Sequence, residues 1–378
     1  MEELAGSQID FAEHFRDHIF SRWIPSAIDP VHGGFHQNYS EDWTELPDRT
    51  RSLVYLCRMI WLAAVGGHQE AVEHGCKTLW EQFWDNDYGG FVWEIGLDDT
   101  VVESEKHLYG QAFAVFALAR AGKLADANWA FQWFDLHARD PLYGGYVETL
   151  WSNGDQKVTG EGTDALGTPY GLKSMNAHLH LLEALTELGH ALPDQRVIGA
   201  LNEVFDVFRK WLAFPDGRLL YYATQDYRSA SEVDSYGHAM EAAFLLVEAA
   251  EVLDLAVEET WAQAKTIVDR TLSVAWDHDH GGLFYEGEFG KPPHNCDKIW
   301  WAQAESFNVL RLMAERFGSP YTNFCDRQWR FISDHIIDHE HKGWRPIVLA
   351  DGSPISGSIK SDAWTEGYHQ GRATLQQD

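Results

Sequence analysis

Side chains that could act on a substrate or hold it recur in this sequence three or four residues apart, the spacing that places both on one face of a helix. The pairs are His238 with Glu241, Asn176 with His180, and Trp301 with Glu305. A carboxylate on the same face as an imidazole can hold it and raise its basicity, so we expect Glu241 to support His238. His178 lies two positions from His180, so it should point elsewhere and pack between helices.

These side chains fit proton abstraction beside a carbonyl group. Histidines titrate near neutral pH, so two of them on opposite sides of a substrate carbon can pass a proton in either direction. Arg51 would stabilise the negative charge that develops on an enediolate oxygen. Tryptophans beside polar residues, such as Trp301 and Trp364, suit a sugar, which offers an apolar C–H face and a rim of hydroxyl groups. The expected partner is a small-molecule sugar.

Other motifs indicate little further chemistry. Histidines stand at metal-binding spacings in His335-x-x-x-His339-x-His341 and in His278-x-His280. Both groups fall at predicted outer-helix ends or inside a repeated turn, so we expect no metal site. The sequence also has no phosphate-binding loop, no nucleophile elbow and no dinucleotide fingerprint.

A repeated turn indicates the elements that must position these residues. The signature Asp-x-x-(His/Tyr)-Gly-Gly is followed by an aromatic residue at 29–35, 85–91, 140–146 and 277–284, and weaker relatives stand at 214–219 and 338–344. Glycine pairs admit positive φ and the aromatic begins an extended run, so each copy predicts a small hairpin. Copies spread from end to end predict one repeated architecture, in which the turns are scaffold and not chemistry.

The segments between the turns have helical periodicity. We predict twelve helices, at 8–23, 51–66, 69–84, 107–122, 124–137, 173–190, 194–213, 235–254, 257–275, 297–317, 320–337 and 362–374. Those before each turn have a charged face, and those after it are apolar on nearly all sides, which distinguishes solvent-facing from enclosed helices. The alternation predicts an all-α (α/α)6 barrel, or toroid, with six inner helices, six outer helices and short β-hairpins at one end. The inner helices should begin at that end, where their polar first residues would line a pocket.

The composition excludes several classes of protein. The 58 acidic residues against 29 basic ones give a formal charge of −29, which repels nucleic acid. No signal peptide and no membrane-spanning run are recognisable, and the four cysteines are scattered, so we expect a cytoplasmic protein with reduced thiols. No linker divides the chain, and we therefore expect one catalytic domain, 1–378, in a monomer or homodimer.

Four motifs resemble the N-acylglucosamine 2-epimerase superfamily, most closely its cellobiose 2-epimerase and mannose 2-epimerase branch. They are Met-Asn-Ala-His-Leu-His-Leu-Leu-Glu-Ala at 175–184, Ser-Tyr-Gly-His-Ala-Met-Glu-Ala at 235–242, Trp-Trp-Ala-Gln-Ala-Glu at 300–305 and Tyr-His-Gln-Gly-Arg-Ala at 368–373. The resemblance covers essentially the whole chain. It implies an (α/α)6 barrel and a reaction without a cofactor at C2 of a reducing-end aldose.

The resemblance also implies roles for single residues. His238 and His369 correspond to the acid/base pair that removes the C2 proton and returns it to the other face. His180 corresponds to a third histidine that assists ring opening or contacts the enediol oxygens. Substrate-contacting or supporting positions correspond to Arg51, Tyr109, Asn176, Glu241, Trp301, Glu305 and Trp364.

Two departures from the family pattern concern the substrate. Cellobiose epimerases typically carry a tryptophan six residues after the histidine of the second motif, where this chain has Phe244. The fourth motif is introduced by Trp-Thr-Glu-Gly at 364–367, where the family usually has Trp-Lys-Cys-Pro. A monosaccharide such as mannose, interconverted with glucose, is therefore as plausible as a disaccharide.

Three alternatives remain at this point. An aldose–ketose isomerase would convert mannose to fructose through the same enediol. A glycoside hydrolase on the same barrel would need two carboxylates that flank a glycosidic bond, for which Asp234, Glu241 and Glu305 are the candidates. A non-catalytic binder of sugar or protein would need none of this chemistry.

Overall fold

The structure is a computed structural model that describes residues 10–375, and twelve helices alternate within that range between an outer and an inner ring. The outer helices are α1 (11–23), α3 (69–83), α5 (Leu124–Ala138), α7 (195–212), α9 (Val257–Ala275) and α11 (321–336). The inner helices are α2 (Leu53–Val65), α4 (Leu108–Arg120), α6 (Met175–Ala191), α8 (Tyr236–Leu253), α10 (Trp300–Phe317) and α12 (Tyr368–Thr374). Four outer helices contain a π-helical stretch, at Phe15–Phe20, Leu79–Phe83, Phe208–Leu212 and Ile332–Ile336.

The inner helices close a ring, because each contacts the next and α12 contacts α2. They are apolar on nearly all sides. In α4, for example, every residue from Leu108 to Ala119 is buried. Outer helix α7 instead buries Val197, Leu201 and Val204 on one face and exposes Arg196 on the other. A fully apolar helix inside and an amphipathic helix outside are what two concentric rings require. The predicted all-α (α/α)6 barrel is confirmed.

Short strands lie where the inner helices begin. In chain order they are β1 (Thr50–Ser52), β2 (Glu94–Gly96), β3 (Val101–Glu103), β4 (Lys106–His107), β5 (Thr149–Leu150), β6 (Leu172–Ser174), β7 (Tyr222–Thr224), β8 (Val233–Ser235), β9 (Glu286–Glu288), β10 (Lys298–Ile299) and β11 (Ile347–Val348). Strands β1, β4, β6, β8 and β10 each run directly into an inner helix and pair antiparallel with a strand that follows the next repeated turn. The hairpins therefore gather at the end where the inner helices start, as predicted.

A buried ion pair, here called a latch, ties these strands to the repeated turns. Oδ1 of Asp85 accepts the backbone N–H groups of Asp87 and Tyr88, and its Oδ2 accepts Nζ of Lys106 at 2.7 Å. Lys173–Asp140 and Lys298–Asp277 are the equivalent latches at β6 and β10, and Lys360, which lies outside the strands, pairs in the same way with Asp338 of the last turn. Gly90 has a φ of 75°, and a Cβ there would lie 2.8 Å from Cδ of Lys106. The glycine pair therefore admits the lysine, and the turn acts as scaffold.

The helix boundaries differ from the predicted ones at the inner-helix starts. Five predicted inner helices begin one to three residues too early, because strands β1, β4, β6, β8 and β10 run up to the first residue of each helix. The sixth was predicted from residue 362 and begins at Tyr368, because Oδ1 of Asp362 accepts the N–H groups of Trp364 and Thr365 in a turn. Residues 8 and 9 of the first predicted helix lie outside the described range. Between residues 10 and 375, the helices are all too short or too polar to cross a membrane.

Candidate active site

Three imidazoles meet at the hairpin end of the barrel. His238 lies in the first turn of α8, His369 in the first turn of α12 and His180 in the second turn of α6. All three are largely buried, with 9%, 5% and 2% of their surface exposed, respectively. The indole of Trp301 contacts two of them, with ring centroids 4.6 Å from His238 and 5.7 Å from His369. The structure therefore brings together the three predicted histidines and the predicted tryptophan.

Each imidazole is held through its Nδ1 atom. Nδ1 of His180 lies 2.9 Å from Oε2 of Glu183, and Nδ1 of His369 lies 2.7 Å from Oε1 of Glu305. Nδ1 of His238 lies 2.6 Å from the hydroxyl of Ser235. Among residues 10–375, the Nε2 atoms of these three histidines have no hydrogen-bond partner, which leaves them for a substrate.

The predicted support of His238 by Glu241 is wrong. Glu241 shares a helix face with His238, but its Oε1 accepts a hydrogen bond from Nη2 of Arg372. The same oxygen lies 3.9 Å from Nδ1 of His369. The guanidinium on the facing helix competes for the carboxylate and wins, because a charge-assisted bond to arginine is stronger than one to a neutral imidazole.

Arg372 joins three buried carboxylates. Its Nη1 donates to Glu183 and to the hydroxyl of Tyr368, and its Nη2 donates to Glu241 and Glu305. Burial raises the pKa of Glu241 and of Glu305 to about 7, and the negative charge of Glu305 adds to the shift of Glu241. Burial also favours a raised pKa for Glu183, but the positive charge of Arg372 and the hydrogen bond from His180 outweigh this effect and hold the pKa of that carboxyl below its usual value. One cation therefore compensates three acids, two of which titrate near neutral pH.

The two imidazoles that contact Trp301 carry no charge at neutral pH. Burial lowers the pKa of His238 to about 3, and the nearby His180 adds to the shift. Burial, followed by the positive charges of Arg58 and Arg372, lowers the pKa of His369 well below its usual value. A neutral imidazole has a lone pair, so both rings can accept a proton.

The structure does not bring Arg51 to this cluster. Arg51 lies in β1, two residues before α2, the place that Lys106, Lys173 and Lys298 occupy before their own helices. Its Nη1 donates to the carbonyl of His32 in the first repeated turn, and its Nη2 donates to the carbonyl of Gly96. Arg51 therefore occupies the latch position of the first repeat but bonds the turn through the carbonyl of His32 and not through an aspartate, and the prediction that it contacts substrate is corrected.

Arg58 is the arginine that the sequence interpretation missed. It lies in α2, and its Nη2 donates to the hydroxyl of Tyr109 at 2.9 Å. Its Nη1 lies 3.3 Å from both carboxylate oxygens of Glu366, and its guanidinium lies 4.5 Å from the ring of Phe113. The sequence did hold a signal for this residue, because Arg58 is the single charged residue in an otherwise apolar inner helix. A buried charge is costly unless it is paired.

Tyr109, Asn176 and Trp364 lie around the histidines. The ring of Tyr109 is 4.9 Å from that of His180. Asn176 is half-buried, and its Oδ1 has no hydrogen-bond partner within residues 10–375. Trp364 is 39% exposed and lies 6.4 Å from Tyr109 and 6.1 Å from Trp93, so these aromatic rings form one wall of the opening. Trp93 was not predicted, although it follows a repeated turn.

The carboxylates do not have the arrangement of a glycoside hydrolase. Asp234 forms a two-pronged ion pair with Arg270, which anchors β8. Glu241 and Glu305 are both fully buried behind His369, and each has an oxygen within 4.8 Å of the other. Carboxylates that act on a glycosidic bond must flank it at distances of about 5 Å or more.

Phe244, which stands where the family typically has a tryptophan, lies 5.6 Å from the guanidinium of Arg372 and is almost fully buried, in the floor of the cluster.

Within residues 10–375, two groups of side chains have ligand atoms close enough for a metal ion. In the first, His107, Glu148 and Asp164, the imidazole caps Tyr109 through Nδ1 and bonds Asp164 through Nε2, so both ring nitrogens are in use. The second is Glu241, Glu305 and His369. There the guanidinium of Arg372 already occupies the carboxylates and would repel a cation. Neither group favours a metal, and the expected absence of a cofactor stays a prediction.

Comparisons with known proteins show the family and agree with the fold. The model of the N-acylglucosamine 2-epimerase family matches residues 33–373. The chain is 26% identical to the cellobiose 2-epimerase of Bacteroides fragilis, covering 95% of each chain. It is also 26% identical to the D-mannose isomerase of Marinomonas mediterranea, covering 95% of this chain and 94% of that one. The solved structure of the cellobiose 2-epimerase from Spirochaeta thermophila superposes with a TM-score of 0.86 at 30% identity, covering 96% of this chain and 94% of that one.

Proposed function

The chain belongs to the N-acylglucosamine 2-epimerase family and is a sugar epimerase or isomerase, and we propose that it inverts C2 of an aldose. The substrate would be mannose or glucose, or the reducing-end residue of a disaccharide such as cellobiose. One observation carries the proposal. Two uncharged imidazoles, His238 and His369, contact the same indole and leave their Nε2 atoms free.

In the proposed reaction, one of these two histidines removes the proton from C2 of the open-chain sugar. The carbonyl oxygen takes up the negative charge of an enediolate, and the other histidine, which must carry a proton on Nε2 at this stage, donates that proton to the opposite face of C2. Nδ1 of His369 lies 2.7 Å from Oε1 of Glu305, whose pKa is about 7. When the Glu305 carboxyl is protonated it can donate to Nδ1, which leaves the imidazole proton on Nε2 for transfer to C2. When it is ionised it accepts the Nδ1–H, and Nε2 is then free to remove a proton. The reaction needs groups that release and accept protons near neutral pH, and Glu305 together with His369 is such a group.

Other polar groups have places in the same scheme. Arg58 and Tyr109 form a hydrogen-bonded pair beside His180, where they would stabilise the enediolate oxygen. His180 would assist ring opening, and its bond to Glu183 keeps the imidazole oriented. The half-buried Asn176 and the exposed Trp364 would contact the sugar hydroxyls and the apolar face of the ring.

Solvent exchange tests this function. The protein is incubated in D₂O with mannose, glucose, fructose or cellobiose, and the products are examined by NMR. Deuterium at C2 of both members of an epimer pair supports the proposal. Absence of exchange with all four sugars contradicts it.

An aldose–ketose isomerase is the second candidate, because the D-mannose isomerase relative is as similar as the cellobiose 2-epimerase relative. It would use the same histidines and the same enediolate but would return the proton to C1. In the D₂O experiment this reaction places deuterium at C1 of fructose formed from mannose. The position of the label therefore separates the two reactions.

The contrast between two arginines gives a prediction. Replacing Arg58 by methionine should lower kcat/KM by about a hundred-fold, because one donor to the developing oxyanion is lost. Arg51→Lys should leave kcat/KM within about three-fold of its original value, since lysine stands at the equivalent latch position in three other repeats. Thermal unfolding checks that both variants fold. An Arg51→Lys variant that loses activity while Arg58→Met keeps it would reverse the assignment.

A further inference from the structure

Ser235 differs from the other three residues with a polar side chain that directly precede an inner helix. It is the last residue of β8 and precedes α8, as Ser52, His107 and Ser174 precede α2, α4 and α6. Those three side chains cap their helices by accepting the backbone N–H groups of Tyr55, Tyr109 and Ala177. Ser235 makes no such cap, and its hydroxyl lies 2.6 Å from Nδ1 of His238 instead. The Ser235 hydroxyl therefore bonds an imidazole in place of the backbone N–H group that a helix-capping serine would accept.

The imidazole of His238 is held in a tight slot. Its ring centroid lies 4.6 Å from that of Trp301 and 6.0 Å from that of Tyr221. A Cβ on the preceding Gly237 would lie 2.7 Å from the indole of Trp301, so the indole packs directly on the backbone beside His238. The strand that carries Ser235 is itself anchored by the Asp234–Arg270 pair. Serine and imidazole therefore keep a fixed relative geometry.

The partner of His238 also differs in charge from those of the other two histidines. His180 and His369 are bonded to carboxylates, which can take up a proton, whereas His238 is bonded to a neutral hydroxyl. A hydroxyl group accepts an N–H bond but does not supply the negative charge that stabilises an imidazolium ion. The two histidines beside Trp301 therefore differ in their hydrogen-bond partners. His369 has a partner that can exchange a proton with it, and His238 does not.

We infer that Ser235 is a positioning residue for the proton transfer. Its hydroxyl accepts the Nδ1–H of His238 and so fixes the tautomer in which the lone pair of Nε2 is available to the C2 proton. The inference rests on the proposed function and adds to it a residue that acts through His238. Ser235 and Glu305 then have corresponding positions but different roles. Ser235 orients His238, whereas Glu305 exchanges a proton with His369.

Several titratable and charged groups belong to the same site as His238, and of these His180 adds to the lowering of its pKa. Glu241 lies on its own helix, Glu305 on α10, His180 and Glu183 on α6, and His369 and Arg372 on α12. Substitution of Ser235 leaves all of them in place. A change in the behaviour of His238 in such a variant therefore reports on the hydroxyl.

Paired variants test the inference. Ser235→Ala should lower kcat about ten- to hundred-fold with KM changed less than about three-fold, because orientation is lost and binding groups remain. Ser235→Thr, which keeps the hydroxyl, should restore most of kcat. Ser52→Ala is the matched control, since it removes a true cap from α2 and should lower Tm with kcat unchanged. Ser235→Ala with unchanged kcat, or equal losses in the alanine and threonine variants, would overturn the inference.

The tautomer is measurable without substrate. Imidazole ¹⁵N NMR of histidine-labelled protein, with His238→Gln to assign the signal, should show His238 with a protonated Nδ1 and an unprotonated Nε2. In Ser235→Ala the signal should move toward the Nε2–H form. An Nε2–H tautomer in the unmodified protein would overturn the inference. Because this readout needs no turnover, it is distinguishable from failure of the proposed function, which is seen as missing C2 exchange.

Discussion

Replacing His238 or His369 by alanine is expected to lower the rate of C2 inversion by about a thousand-fold, whichever of the two is removed. Each imidazole would serve one face of the sugar, so loss of either interrupts the transfer of the proton from one face to the other. The expected loss lies within the range that a positioned acid or base contributes to catalysis. Initial rates of epimer formation measure it directly.

Isotope exchange sharpens this prediction. A variant that lacks one histidine still has a base on the other face, which can remove the C2 proton and return deuterium to the same side. In D₂O the variant should therefore label one epimer at C2 while inversion is nearly absent. The two variants should label opposite epimers. If either variant kept normal inversion, the two-histidine scheme would be wrong.

His190→Ala provides the matched control. His190 lies on the same helix as His180 but is exposed at its far end. Its removal should change neither exchange nor inversion. Circular dichroism and thermal unfolding of all three variants separate a chemical loss from a folding loss.

Much of the architecture could be predicted from the sequence because it repeats. The Gly-Gly turns and the fully apolar segments behind them are local patterns, and local patterns gave the ring of helices and the end at which polar side chains meet. Helix starts were less predictable. Residues such as Lys173 and Ser174 fit a helical pattern, but a partner strand about 50 residues along the chain pairs with them.

Partner choice within the site depends on contacts that spacing does not show. The i,i+3 rule placed Glu241 on the face of His238 correctly, but Arg372 approaches from a different inner helix and takes the carboxylate. Glu305 holds His369 across 64 positions of sequence, which no local rule could indicate. By contrast, His180 and Glu183 are themselves three residues apart, so that pair was visible and was overlooked.

The Arg51 error has a physical cause of the same kind. An arginine at an inner-helix start was expected to line the pocket, because a charge there is costly unless a cavity receives it. The structure shows a second solution, in which the charge turns away from the barrel axis into the neighbouring turn. Comparison with Lys106 and Lys173 at the equivalent positions could have suggested it.

Arg372→Met is expected to cost about 3 to 5 kcal/mol of unfolding free energy, the largest stability loss that the site predicts. The substitution removes the one cation that bonds Glu183, Glu241 and Glu305 and leaves three buried acids without compensation. Urea unfolding at neutral pH measures the loss. Arg372→Lys keeps the charge but replaces the guanidinium fork, which makes four hydrogen bonds, by three donors on one nitrogen, so its loss should be intermediate.

The loss of unfolding free energy in Arg372→Met should grow as the pH rises. A carboxyl group with a pKa of about 7 in the folded chain and 4.5 in its usual range, such as Glu241 or Glu305, binds its proton more tightly when folded. Its contribution to stability is complete below pH 4.5 and is lost as the pH rises through about 7. Without Arg372, Glu183 should join them, because the guanidinium that holds its pKa down is gone. The variant should therefore lose more stability than the unmodified protein between pH 5 and pH 8.

A surface arginine separates this effect from a general loss of positive charge. Arg316 forms an exposed ion pair with Glu258 on the outer ring, so Arg316→Met should change stability little and equally at both pH values. A similar pH dependence in Arg316→Met would assign the effect to the net charge of −29 instead of to the buried acids. An Arg372→Met variant that is more stable at pH 8 than at pH 5 would contradict the argument, because uncompensated buried carboxylates must favour the protonated, low-pH form.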